Sequence, residues 1–278
     1  MDLNWLESIL FGFVSGLADI LPVSAQAHKL ILLKLFGVST EPGLLRLLIH
    51  VSILGALYYN CLPQIVKILR ARSLARIPKR KRKRPLDYRS LMDFRLWQTM
   101  ILPVILVFFF YQQISALHSS LSLMAIFLFL NGMILYVPPF LPGSNKDSRT
   151  LSRVEGLLMG LGGAASVLPG ISGVGAAVSV GSICGVERSY GLNMALLMNL
   201  AVTLGLIVFD VIRIVNMGME SLSFVILLSY IAAAAAAFFG TTVGVRVMRG
   251  LAAEKGFTPF AYYCWGVALF TFILNLMA

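Results

Sequence analysis

Hydrophobic positions along the chain gather into six long runs, roughly 43–62, 96–115, 120–140, 189–212, 221–247 and 257–277. Each is close to the ~20 residues that a helix needs to cross a bilayer. Two further regions, 3–36 and 153–185, are apolar but interrupted, each with Gly, Ser and a Leu-Pro break near its middle. Broken backbone at membrane depth is tolerated only where protein buries it or where it lines a wet cavity. The pattern therefore predicts an all-α integral membrane protein with about six transmembrane helices and two re-entrant helical hairpins. It is expected to form a single membrane domain over 1–278.

Composition agrees with this picture. The chain is 58% hydrophobic and 13% charged, where a soluble domain carries about a quarter charged residues. The first apolar run lacks a basic leading segment and a small-residue cleavage site, so no separate signal peptide is expected. Cys61, Cys184 and Cys264 show no metal-type spacing and read as small buried hydrophobes.

The formal charge of +11 is unevenly placed: KILRARSLARIPKRKRKR (67–84) holds ten Lys or Arg and no acid. This reads as a cytoplasmic anchor, with 63–95 as a basic cytoplasmic loop, and is compatible with binding anionic membrane lipids. Because the run joins two membrane spans, nucleic acid is not an expected partner. The 111–120 loop has no Lys or Arg and is placed outside. Lys146, Arg149, Arg153 and Arg188 fall inside, as do Arg246, Arg249 and Lys255 in a loop at 246–255. On this assignment 3–36 enters from the outer face and 153–185 from the inner one.

The two interrupted regions resemble each other. WLESILFGFVSGLADILPVS (5–24) and VEGLLMGLGGAASVLPGIS (154–172) share Glu-x4-Gly, a small-residue stretch, Leu-Pro, and a Ser shortly after. With the opposed insertion this predicts an inverted-topology repeat, repeat 1 spanning about 1–140 and repeat 2 about 150–278, with a site where the broken helices meet.

Asp19 is an ionisable group within an apolar segment, and such groups face an interior or a wet cavity. Ser15, Ser24, Gln26, His28, Lys29 and Lys34 lie near it. The second break, LPGISGVGAAVSVG (168–181), offers Gly170, Ser172, Gly173, Gly175 and Ser179. A Gly-rich break before a helix start presents free N–H groups to an anion, although Gly173 and Gly175 also suit close helix packing. His50 reads as packed and hydrogen-bonded, Glu7 and Glu155 as solvated residues at hairpin entrances, and Asp210 with Arg213 as an interfacial i, i+3 pair. One acid, one His, hydroxyls and anion-friendly backbone suit a phosphate head group.

At these residues the sequence resembles the undecaprenyl-pyrophosphate phosphatase family of the bacitracin-resistance type. GFVSGLADILPVSAQAH (12–28) matches the frame of its first motif, which ends Leu-Pro-Val-Ser-Ser-Thr-Gly-His. LLIHVSILGALYYN (47–60), LPGISGVGAAVSVGSICGVERSYGLNMALLMNLAV (168–202) and GFTPFAYYCWGVALF (256–270) resemble the later blocks in order. The resemblance implies a bacterial plasma-membrane protein that hydrolyses carrier-lipid diphosphate to monophosphate at the outer face, with Mg2+ or Ca2+ assisting. It implies Asp19, Ser24, His28 and Ser172 as catalytic residues, Asp19 as metal ligand, and Ser15, Gln26, Lys29, Gly170 and Gly173 as substrate-binding.

Several motif positions depart from the family. Ser15 replaces a glutamate, Ala25 the second serine, Gly173 the arginine and Val174 the serine after it. Phosphoryl transfer depends on charge stabilisation, and losing one such donor commonly costs about 100-fold. Lys29 is the nearest internal substitute, without the guanidinium fork. Two other readings therefore stand beside hydrolysis: a relative that binds or translocates polyprenyl phosphate without cleaving it, and a structural or regulatory membrane protein.

Overall fold

The computed structural model describes residues 3–141, 145–218, 223–254 and 256–277. Among them the fold is helical throughout, with one isolated β-bridge between Lys146 and Val186. The chain is an all-α multi-pass membrane protein. Six helices are long and apolar enough to span a bilayer: α3 (Gly43–Ala75), α4 (Tyr88–Phe109), α6 (Leu121–Tyr136, extended by a turn at Pro138–Phe140), α9 (Arg188–Met217), α10 (Phe224–Glu254) and α11 (Thr258–Met277). A short helix, α5 (Tyr111–Ser115), takes up the end of the 96–115 run.

Both interrupted regions are broken helices. In the first, α1 (Trp5–Ile20) and α2 (Ala25–Leu35) flank Pro22; in the second, α7 (Arg153–Ala164) and α8 (Gly173–Ile183) flank a turn at 165–172. Each begins with a capping box. Asn4 pairs with Glu7, and Ser152 with Glu155, the acid reaching back to the cap N–H in both. Thus Glu7 and Glu155 fasten helix starts rather than standing free in solvent, which satisfies otherwise orphaned donors.

Small residues let these helices lie against spanning ones. A Cβ on Gly12 would strike the Ala233 carbonyl of α10, and one on Gly160 the Met100 carbonyl of α4. The two glycines are the equivalent positions of the Glu-x4-Gly motif. Along α1, Gly12 then Gly16 meet Ala233 then Ala237, so α1 runs parallel to α10. Along α7, Gly156 meets Leu96 and Thr99 before Gly160 meets Met100, so α7 runs parallel to α4. The start of α4 shares a cleft with the end of α10, through Asp93 and Arg249. The two broken segments therefore come in from opposite ends of the bundle. Packing is reciprocal: α1 lies on α10 and α7 on α4, while α3 pairs with α9 and α6 with α11.

Two loops are shorter than the sequence implied. Helix α3 continues to Ala75 and α4 begins at Tyr88, so the basic 63–95 loop shrinks to 76–87 and carries a turn at Lys79–Lys81. Helix α10 likewise continues through Arg246 and Arg249 to Glu254; Lys255 lies outside the described residues. Lys and Arg side chains tolerate helix well, and a 33-residue helix reaches ~50 Å, beyond the ~30 Å hydrocarbon layer. The basic residues thus extend spans past the bilayer instead of ending them. Cys61 and Cys264 are buried and Cys184 is half-buried, all with free thiols.

Candidate functional site

The tips of the two broken helices touch. Pro22 supplies no N–H, and the chain leaves α1 at Leu21 in extended conformation. It re-enters helix through Ser24, whose φ of 66° makes it the non-glycine residue held in the left-handed region among those described. In the second half, Gly170 (φ 111°) makes the turn and Ser172 caps α8. Ser172 Oγ donates to the Leu21 carbonyl at 3.0 Å. Asn131 of α6 joins both tips: Nδ2 donates to the Pro22 carbonyl at 3.1 Å and Oδ1 accepts from Ser172 N at 3.0 Å.

Beside this junction lies a cavity of ≈ 30 Å³, walled by Ser15, Asp19, Ala25, Gln26, Lys29, His50, Ser166, Ser172, Gly173 and Asn199, with apolar residues of α3 and α9. That volume admits one or two waters. The first residues of α2 and of α8 both border it, so two helix N-termini, each with unpaired N–H groups and positive dipole ends, face one space. Asp19 Oδ2 accepts from Asn199 Nδ2 at 2.8 Å. Lys29 Nζ lies 3.2 Å from both Glu41 oxygens. Ser166 Oγ is buried with no partner among the described residues. The cavity sits toward the end opposite the basic one: His50 lies ~10 Å along α3 from its first residue and ~38 Å from its last.

Behind the wall, Asp210 of α9 ties α3 in place. Its Oδ1 accepts from Arg46 Nε at 2.6 Å and its Oδ2 from His50 Nδ1 at 2.5 Å. An ionised carboxylate can only accept, so His50 Nδ1 is the donor, and Nε2 has no hydrogen bond among the described residues. The expected Asp210–Arg213 pair is absent: Arg213 Nε turns instead to Met217 Sδ at 3.5 Å.

The structure gathers Asp19, Ser15, Gln26, Lys29, Ser172 and Gly173 around the cavity and leaves three expected residues off its wall. His28 points the other way, its Nδ1 2.8 Å from the Ser24 carbonyl and its Nε2 2.7 Å from the Tyr263 hydroxyl of α11. One residue apart on a helix means ~100° of rotation, so Lys29 and His28 cannot share a face. Ser24 Oγ is buried and caps α2 through Ala27 N. Gly170 abuts the α6 backbone at Met124 and Leu128. Ser179 is buried within α8, and a Cβ on Gly175 would meet Pro22, so that glycine serves packing.

Asn131, Asn199 and Ser166 carried no motif signal, and Arg46 is one turn from His50, a pairing that only α9 explains. For a divalent cation, Asp19 is the one carboxylate on the wall, and no cluster of three His, Cys, Asp or Glu occurs among the described residues. This donor set does not make a protein cage. A Mg2+ ion, which usually takes one or two protein carboxylates, would be held here by Asp19.

The chain matches the family model described as bacitracin resistance protein BacA over residues 8–270. This protein belongs to the BacA family. Relatives named undecaprenyl-diphosphatase include one from Methanobrevibacter smithii, 25% identical over 273 residues and covering 96% of each chain. One from Thermosipho melanesiensis is 26% identical over 267 residues, 96% of this chain and 98% of its own. A third, from a Nocardioides strain, is 28% identical over 217 residues and 77% of each chain. Of the four motif departures expected from the sequence, Ser15, Ala25 and Gly173 line the cavity and Val174 does not.

Proposed function

We propose that this BacA-family protein hydrolyses a polyprenyl diphosphate carrier lipid to its monophosphate, with the diphosphate held in the cavity between the two breaks. The observation that carries the reading is the meeting of two helix N-termini and Lys29 around one buried space that also holds Asp19. Backbone N–H groups and an ammonium suit phosphate oxygens, and the relatives' names supply the lipid.

In this reading the N-termini of α2 and α8, Lys29 and Ser166 Oγ cradle the phosphates. His50, oriented through Nδ1 by Asp210, takes a proton at Nε2 from the attacking water. The terminal P–O bond to the bridging oxygen breaks, and that oxygen leaves on the lipid monophosphate. A Mg2+ or Ca2+ ion shared by Asp19 and the phosphates would neutralise charge. Because the cavity at ≈ 30 Å³ is smaller than a diphosphate, the tips must part to admit one. The basic end of the bundle would face the cytoplasm of a bacterial plasma membrane and the cavity the outer face, each broken segment heading one half of an inverted repeat.

Purified protein releasing phosphate from a polyprenyl diphosphate, and losing that activity in Asp19→Ala and His50→Ala, is the expected outcome. Background-level release unaffected by both changes would overturn it. One feature favours the second reading, binding or translocation without cleavage: the place of the family's arginine is taken by Gly173, whose missing side-chain space is filled by Ser166. Tight lipid-phosphate binding with no release would select that reading.

A further inference from the structure

A second, larger recess lies at the opposite, basic end of the bundle. Its volume is ≈ 740 Å³, and it is formed where the end of α3, the start of α4, the start of α9 and the end of α10 converge. Its acids are already engaged. Asp87 accepts from Ser90 N and Oγ at 3.1 and 2.6 Å, and Asp93 from Ser148 Oγ and Tyr190 OH at 2.6 and 2.8 Å. Of its five cations, Arg249 donates to the Asn60 carbonyl at 3.0 Å and Arg89 lies 3.9 Å from Asp147, while the exposed side chains of Lys67, Arg70 and Arg84 have no ion pair or hydrogen bond among the described residues. Hydroxyl and backbone donors hold the two carboxylates while three cations stay unpaired, so the recess carries an excess of positive charge.

Depth and the neighbouring surface identify the anion. Arg70 lies ~40 Å along α3 from Gly43, farther than the ~30 Å thickness of a hydrocarbon layer. On the same helix Leu62, Val66 and Leu69, spaced i, i+4, i+7, are all exposed, and Val66 also lines the recess. That stripe runs from the cations back toward the bilayer core. A soluble anion would have no use for it.

We propose that this recess binds the phosphate-bearing head group of a membrane lipid, the chain lying along Leu62, Val66 and Leu69. The site is separate from the Asp19 cavity and independent of whether that cavity hydrolyses anything. The test uses delipidated full-length protein in neutral detergent, titrated with short-chain phosphatidic acid, phosphatidylcholine or inorganic pyrophosphate and read by native mass spectrometry. Phosphatidic acid is expected to bind in preference to both others. The double change Lys67→Gln/Arg70→Gln should weaken it about tenfold, as loss of charge-assisted hydrogen bonds does. Removing three charges outside the recess (Lys79→Gln/Arg80→Gln/Lys81→Gln) should leave it within about twofold, since exposed charges act weakly. Asp19→Asn should not change it. Equal weakening in the two basic variants, no weakening in the first, or pyrophosphate binding that is as tight as the lipid's and falls in the Lys67→Gln/Arg70→Gln variant would each overturn the proposal.

Discussion

His50 Nδ1 and Asp210 Oδ2 lie 2.5 Å apart, joining α3 to α9 directly behind the cavity wall. Arg46 completes the group on the other carboxylate oxygen. Replacing Asp210 by Ala strands a guanidinium and an imidazole in a buried setting, which costs about 3 kcal/mol, measurable by denaturation in detergent. His50→Gln keeps a side chain that can donate to Asp210, so the fold should hold. Phosphate release should nevertheless fall about 100-fold, the usual loss when a proton carrier is removed. A His50→Gln protein with full activity would leave His50 a structural role only.

The Asn131 side chain bonds both tips, at Pro22 and at Ser172. Asn131→Leu leaves the buried Ser172 N–H unpaired, at about 1–3 kcal/mol, and leaves the Pro22 carbonyl only the Cys264 thiol at 3.5 Å. The junction should loosen before the rest of the bundle. Hydrogen exchange at 21–25 and 169–175 should rise while the α3–α9 contact stays protected.

Gly12 and Gly160 make the same contact in the two halves, each against a carbonyl of a spanning helix. Gly12→Val and Gly160→Val should therefore destabilise alike, by about 1–3 kcal/mol or more. A thermal-melting series with both valine variants checks this; a large cost in one half alone would break the equivalence.

Restoring the missing arginine is not a single-residue change. A Cβ at position 173 would lie 2.7 Å from Ser166 Cβ and 2.9 Å from the Gly163 carbonyl. Gly173→Arg alone should cost about 1–3 kcal/mol through overpacking. Adding Ser166→Gly removes the nearer contact but also one hydroxyl of the phosphate cradle, so the double variant should release phosphate faster than the parent by less than the about 100-fold that one charge-stabilising donor is worth. Rates and melting points on the two variants separate packing from chemistry.

The two matching helix starts were legible because Glu-x4-Gly encodes two local necessities, a capping acid and a bare helix face, each readable from neighbours in the chain. The place of His28 off the cavity wall was not legible for the opposite reason: a motif gives order along the chain, while the side to which an imidazole points depends on the helix phase after Pro22 and on Tyr263. Arg213 misled similarly, since i, i+3 spacing permits a pair that Arg46, more than 160 residues away, takes instead.

What the sequence by itself determined is the helical class, the six spans, the two breaks and the charge asymmetry, because bilayer thickness and unsatisfied backbone groups leave few alternatives for apolar runs of this length. Only the tertiary structure decided which polar groups share the cavity. That selection rests on contacts between α1, α3, α6, α8 and α9, and a buried hydrogen bond depends on where two helices meet, which no local pattern specifies.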